Sequence, residues 1–324
     1  MSNHIYIPAA PSGDEQGVAL RFDPRMAAPF CEKSVSEETR RAYRRVIREF
    51  FQFVGALHPT QVTPRHVVLW RDGMQSQKKS AATVAFKLSV IRSFFEYLRA
   101  GGFMMLNPAA TRVVSPPAVS DDLKGRGLTA KEVRYLLAGP DQSKPDGARD
   151  YALLLLMLKL GMRVTEACTL RASSLQWTHG RWIVKFKAKG GRERTLPLPQ
   201  EVRAAVEEYL KLDAKRRASL HSDGAECFLF QPHTNYRTLE FNKHLSTRMA
   251  WNIVSKWASY AGIGKLSPHD LRRTAITKAL EQGLSYRQVQ MMSGHKDPKT
   301  VMRYDHAREN LEQNAINFLT YDEE

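Results

Sequence analysis

The chain has 324 residues, a hydrophobic content of 43% and a formal net charge of +16. Its length suits about two domains, its apolar content excludes a disordered tail-like chain, and its charge calls for a polyanion or an acidic membrane surface as partner. The longest apolar run, Tyr151–Leu160, contains Lys159 and falls far short of the roughly 20 residues a membrane span requires, so it reads as a buried helix.

The opening MSNHIYIPAAPSGDEQG has no basic stretch followed by an apolar one, which argues against secretion. Cys31, Cys168 and Cys227 are scattered and odd in number, fitting neither a disulfide framework nor a zinc site. A reducing cytoplasm is the simplest compartment, and no membrane partner is expected.

Residues 1–33 read as a flexible N-terminal segment, with four prolines and no sustained periodicity. Ser34 with Glu37 reads as a capping box, opening a helix with Tyr43, Val46, Ile47, Phe50 and Val54 on one face and Arg41, Arg44, Arg45 and Arg48 on the other. Thr63-Pro64 starts a second helix through Val67, Val68 and Trp70. Ser80 caps a third, with Val84, Leu88, Ile91, Phe95 and Leu98 as its stripe and Ala85, Ser89 and Ser93 leaving room for a neighbour or a DNA backbone. Residues 34–111 therefore form a helical domain. Residues 112–127, with prolines, glycines and mixed charges, read as a linker.

Thr129 with Glu132 reopens order at the start of a second domain, 128–324. The buried helix ends near Gly161 and a short helix follows Arg163. Alternation around Trp182–Phe186, a Gly190-Gly191 turn and a return over Arg194–Leu198 give a small antiparallel sheet. Four or more helices follow, including Gln200–Leu212 and Ser246–Ala261. The fold class is mainly α in two domains, the second α+β.

Within the second domain lie GMRVTEACTL (from Gly161), HDLRRT (from His269) and GHKDPKTVMRY (from Gly294). His269 and Arg272 stand one turn apart on a stripe continuing through Arg273 and Ile276, which suggests a partly desolvated pocket where an arginine needs an anion. Arg163 follows a helix end, either to clamp phosphate or to meet the helix dipole. Glu166 either orients Arg163 or a histidine, or simply begins the next helix. His295 follows Gly294 as a surface residue, a dipole partner or a proton carrier, and its spacing matches no metal site. Lys185, Lys187 and Lys189 alternate on one side of a strand, either as a solvated face or as a tip reaching a nucleic-acid groove. Tyr304 is one of eleven tyrosines. Two arginines suit a phosphate's non-bridging oxygens, histidines and a lysine carry protons, and a tyrosine attacks phosphorus. Together they form a kit for covalent cutting of a phosphodiester.

In this order the segments closely resemble the tyrosine recombinase (phage integrase) family, which includes Xer-type recombinases, Cre-like enzymes and integrases. SVIRSFFEYL (from Ser89) followed by Asn107-Pro108-Ala109 is similar to that family's core-binding domain, extending the resemblance over 34–318. It implies a SAM-like N-terminal domain, a DNA breaking-rejoining catalytic fold and an exchange helix at 307–319. It also implies Tyr304 as nucleophile, Arg163 and Arg272 as phosphate clamps, Lys189 as general acid, His269 and His295 as hydrogen-bonding or proton-shuttling groups, and Glu166 in support. Two positions depart from the family pattern. Met162 stands where leucine is common, and Ala188 where glycine is common, leaving Lys187 as a competitor to Lys189.

The implied partner is double-stranded DNA with paired half-sites, bound by a homodimer on each site and a homotetramer in synapsis, with accessory proteins a further class of partner. Candidate DNA contacts are Arg41, Arg44, Arg45, Arg48, Lys87, Ser89, Arg92, Lys187 and Arg192. No cofactor, metal or ATP is expected. A type IB topoisomerase and a non-catalytic architectural protein are the rival readings, separated by site-independent relaxation and by absence of a covalent adduct.

Overall fold

The computed structural model describes residues 22–34, 36–119, 125–188, 191–220, 227–232, 243–305 and 315–318. The chain divides between residues 120 and 121 into two compact units. Both are mostly helical, and the second carries one antiparallel sheet.

The first unit contains α1 (Ala28–Glu32), α2 (Glu37–Phe53), α3 (Pro64–Ser76) and α4 (Ala81–Ala100). Its core is dominated by aromatic rings: Phe50 meets Trp70 edge-on at 5.1 Å, and Phe30 stacks on Tyr43 at 5.5 Å. Val84, Leu88, Ile91, Phe95 and Leu98 are all buried on α4, whose N-cap Ser80 accepts from the Thr83 amide. Three expectations need correction. Residues 22–33 of the segment expected to be flexible are packed, because Phe22, Phe30 and Cys31 are buried in this core. No Ser34–Glu37 box forms, since α1 runs up to Glu32 and the Ser34 amide donates to the Cys31 carbonyl, leaving Ser36 as N-cap of α2. The start of the expected linker belongs to the unit: Val114 is buried, and Arg92 donates to the carbonyls of Ala109 (2.9 Å) and Val114 (3.4 Å).

The second unit opens with α5 (Ala130–Ala138), capped by the Thr129–Glu132 box. The apolar run expected to be buried lies within α6 (Pro145–Leu160), which is followed by α7 (Val164–Cys168). The sheet has strands β1 (Leu175–Thr178), β2 (Arg181–Lys187) and β3 (Glu193–Pro197) in that order. β1 gave no sequence signal because four residues are too few to show an alternation. On the sheet's inner face Val184, Phe186 and Leu196 are buried, while Lys185 and Lys187 point outward. The helices that follow are α8 (Gln200–Leu212), α9 (Ala214–Leu220), α10 (Thr247–Tyr260), α11 (Pro268–Glu281), α12 (Tyr286–Ser293) and α13 (Pro298–Met302). α6 is the hub of this unit, packing against α8 and α11.

Lys189 and most of the exchange helix expected at 307–319 lie outside the described residues, of which Ala315–Phe318 form a 3-10 turn. Among the described residues no helix is long and apolar enough to cross a membrane.

Candidate active site

Two helix ends converge on one arginine. α6 stops at Gly161 and α12 at Gly294, both left-handed, with φ of 57° and 71°. A helix leaves its last carbonyls without intrahelical partners. Arg272, on α11 and only 2% exposed, reaches both ends. Its Nη1 donates to the Gly161 carbonyl at 2.6 Å and its Nη2 to the Ser293 carbonyl at 2.7 Å. The guanidinium is thus fixed by backbone carbonyls, and Glu166 supports its charge through space.

Arg163 follows two residues after Gly161, as N-cap of α7. Buried Glu166 holds it twice, accepting from its backbone amide (2.9 Å) and from Nη1 (2.9 Å). Glu166 therefore does both things the sequence left open: it orients Arg163 and lies in the first turn of the next helix.

His295 is delivered by the Gly294 turn. Its Nε2 lies 3.0 Å from Arg272 Nη2 and its Nδ1 lies 3.0 Å from Ser293 Oγ. A guanidinium only donates, so Nε2 is the acceptor and Nδ1 carries the proton that goes to Ser293. Burial pushes the His295 pKa down to about 4, with Arg272, Arg163, His269 and Arg194 adding to the effect, so the ring is neutral at pH 7. His269, one turn before Arg272, is also held below the ordinary imidazole value by burial and then by Arg272, although its surface reaches solvent. Burial lowers even Arg272 to about 10, with Arg163 next in effect, leaving it charged at neutral pH.

Tyr304 lies just past α13, 3% exposed, in a small apolar cluster with Ile276, Ala279, Val289 and Val301. Its ring stacks on His295 with centroids 5.9 Å apart, and it lies close enough to Arg272 to act on that guanidinium. The Tyr286 hydroxyl donates to Asp305 at 2.5 Å, fastening the segment next to it. Tyr304 thus sits beside the arginine and histidine of its own chain.

Arg163, Glu166, His269, Arg272, His295 and Tyr304 are thereby brought to one place. Lys187 is exposed on the outer face of β2, Arg192 is exposed beyond the β2–β3 turn, and Lys189 is outside the described residues. On the first unit Arg41 and Arg44 pair with Glu37 at 3.5 and 3.4 Å, Arg45 approaches Glu49 at 4.0 Å, and Arg48 is exposed. Lys87 pairs with Glu49, and exposed Ser89 donates to the Phe86 carbonyl at 2.7 Å. Among the described residues no group of His, Cys, Asp and Glu is placed to hold a metal ion.

Sequence reading missed two participants. Ser293 is fully buried against His295. Arg194, on β3, stands in register with Phe186, and its guanidinium lies among the carbonyls at the end of α12. A signal for Arg194 was present: it alternates with Leu196 and Leu198, so an arginine shares the apolar side of the strand.

Comparison with known proteins agrees with this geometry. The phage integrase family matches residues 126–310, and the phage integrase N-terminal SAM-like domain matches 30–102. The chain is 34% identical over 280 residues to the tyrosine recombinase XerC of Thermodesulfovibrio yellowstonii, covering 85% of this chain and 87% of that one. It is 31% identical over 292 residues to XerD of Neisseria meningitidis serogroup B, covering 88% and 92%. Among solved structures, the XerH site-specific recombinase in a post-cleavage complex with its difH substrate superposes with a TM-score of 0.68 at 18% identity, over 91% of this chain and 85% of that one. The Tn1549 transposon integrase in complex with a circular intermediate DNA gives 0.67 at 16% identity, over 92% and 100%. With a family match over more than half its length, and with relatives more than 30% identical over most of both chains, the chain belongs to the phage integrase family and is a site-specific tyrosine recombinase.

Proposed function

We propose that this recombinase breaks one DNA strand by attack of the Tyr304 oxygen on a backbone phosphate, forming a 3′-phosphotyrosine and releasing a 5′-hydroxyl. The observation that carries the reading is the buried Arg272 guanidinium, held by two helix ends and adjoining His295, on which Tyr304 stacks. In this reading Arg163 and Arg272 bind the non-bridging oxygens and stabilise the charge that develops on them. His269 and His295 hydrogen-bond the phosphate or relay the phenolic proton, which neutral His295 takes up at Nε2 before it can donate. A lysine of the β2–β3 hairpin, Lys189 or its competitor Lys187, protonates the leaving 5′-oxygen. The covalent intermediate conserves the diester, so a 5′-hydroxyl from another strand reverses the step without ATP.

The partner is a DNA duplex with paired half-sites, gripped by both units. Arg41, Arg44, Arg45, Arg48, Lys87, Ser89 and Arg92 are the candidate contacts of the first unit, and Lys187 and Arg192 those of the second. Backbone contacts of this kind make affinity fall steeply with salt. A dimer occupies each site and a tetramer forms the synapse, with 307–319 as the exchanged segment. The task is resolution of DNA dimers or cointegrates, or movement of an integrative element, on nucleoid DNA in the cytoplasm. The relatives named XerC and XerD support this, matching over most of their own length.

The deciding experiment incubates the protein with nicked duplexes tiling the DNA around its own gene and resolves covalent adducts on a denaturing gel. Wild type should form an adduct on one site, and Tyr304→Phe should form none. An adduct that persists in the variant would place the nucleophile elsewhere.

A further inference from the structure

Arg194 has no role in the reaction just described, yet its side chain meets three backbone carbonyls beside the site. It leaves the inner face of β3, with its guanidinium 5.4 Å from the centre of the Phe186 ring. Its Nη2 donates to the carbonyls of Met291 (2.8 Å) and Met292 (2.9 Å), and its Nη1 lies 3.5 Å from that of Ser293. These are the carbonyls at the negative end of α12, where a cation is favoured and N–H donors are needed. The guanidinium also fills the space beside the turn. A Cβ on Gly294 would stand 2.5 Å from Arg194 Nη1 and 2.6 Å from its Cζ. The next residue is His295, and the Ser293 carbonyl that Arg194 approaches is the one Arg272 holds at 2.7 Å.

We infer that Arg194 is a positioning residue for strand cleavage: by clamping the last carbonyls of α12 from β3, it fixes the Gly294 turn and hence the placement of His295 against Arg272 and Tyr304. The inference rests on the reading of Tyr304 and His295 given above. A lysine cannot replace it in full, because one ammonium lacks the planar fork that reaches several carbonyls at once. Arg194 is also one of the charges facing His295, together with Arg272, Arg163 and His269, and all four favour the neutral ring.

A double-mutant cycle tests this. The rate of covalent adduct formation in a single turnover is measured on the nicked duplex that wild type cuts, for wild type, Arg194→Ala, His295→Gln and the double variant. Arg194→Ala should slow the step about 10- to 100-fold, as loss of a supporting residue does. On the His295→Gln background the same change should cost less than about 2-fold, because both act through one ring. Arg194→Lys should recover part of the rate, and the acid limb of the rate profile should move to higher pH in Arg194→Ala. Arg194→Met, which keeps the stem on Phe186 but removes every donor, carries the same cycle if the alanine variant does not fold. A wild-type rate in Arg194→Ala or Arg194→Met, or a loss that multiplies in full on His295→Gln, would overturn the inference while leaving the nucleophile reading intact. Failure of wild type to form any adduct would end both.

Discussion

The ends of α6 and α12 have the same shape but are held by different forces. Each stops at a left-handed glycine, each releases a functional side chain within two residues, and each gives a carbonyl to Arg272. α6 is buried along nearly its whole length, and a Cβ on Gly161 would meet only Ala275 Cβ at 3.4 Å and Met292 Cε at 3.5 Å, ordinary contacts. α12 buries only Val289 and Ser293, and its end is held by the guanidiniums of Arg194 and Arg272. The α6 end therefore adds apolar packing along its helix to its bond with Arg272, whereas the α12 end depends mainly on guanidiniums meeting backbone carbonyls. Burial holds a helix end at any pH and salt concentration, whereas the second arrangement depends on particular donors being present.

Exchanging each glycine for alanine separates the two cases. At Gly161 the left-handed backbone costs about 1–2 kcal/mol, and the gain from a stiffer unfolded chain returns part of it. Urea unfolding should show that loss, with the adduct rate staying within a few-fold of wild type. At Gly294 the same backbone cost is joined by a collision with Arg194, so the adduct rate should fall about 10- to 100-fold as the support of His295 is lost. Equal effects at the two positions would mean that the contrast between packing and charge is wrong.

Acid should also act on one end and not the other. The His295 pKa is depressed to about 4 by burial and by the cations around it, against an ordinary value of 6.5. An unfolded chain takes up this proton as pH falls below about 6.5, while the folded protein refuses it until about pH 4, so the fold carries no penalty above that window and a growing one within it. The full penalty, reached only below about pH 4, is at most about 3.5 kcal/mol, at roughly 1.4 kcal/mol per pKa unit. Wild type should lose more stability than His295→Gln between pH 7.5 and 4.5, measured by urea midpoints. Parallel losses would place the ring in a far wetter setting. The α6 end delivers an arginine in place of a histidine.

Much of this division was legible in the sequence. The run Tyr151–Leu160 announced a buried helix, and Gly161 announced its end. The ordered set from Arg163 to Tyr304 announced the chemistry, because those residue types suit a phosphodiester and little else in combination. What could not be read were partnerships across the fold. Arg194 lies 97 residues before Met291 in the chain, and its alternation with two leucines marks it as inward-facing without saying what it meets. Ser293 gave no signal of its own, and the turn of Gly294 folds His295 back onto it. The short helices between Pro24 and Glu32 were hidden by prolines, which break periodicity but here sit in the first turns of those helices.

The smallest expected effect concerns the two supports nearest to the functional groups. At the α6 end Arg163 is oriented by a buried carboxylate through two hydrogen bonds, both to a charged acceptor. At the α12 end His295 is oriented by a neutral hydroxyl, Ser293 Oγ, which receives the Nδ1 proton. A neutral hydrogen bond of this kind contributes about 1 kcal/mol, roughly half of a charge-assisted one. Ser293→Ala should therefore destabilise the fold by about that amount, and slow adduct formation by less than the roughly 10-fold at which supporting residues begin to matter strongly. The ring itself reports the change. Nitrogen–proton correlation spectra of the imidazole, assigned by comparison with His295→Gln, should show a proton fixed on Nδ1 in wild type and a mixture of tautomers in Ser293→Ala. With Ser293 gone, Arg272 still donates to Nε2 and still favours the same tautomer, which is why the mixture should remain weighted toward it. A spectrum unchanged by the substitution would assign the orientation of His295 to the guanidiniums alone.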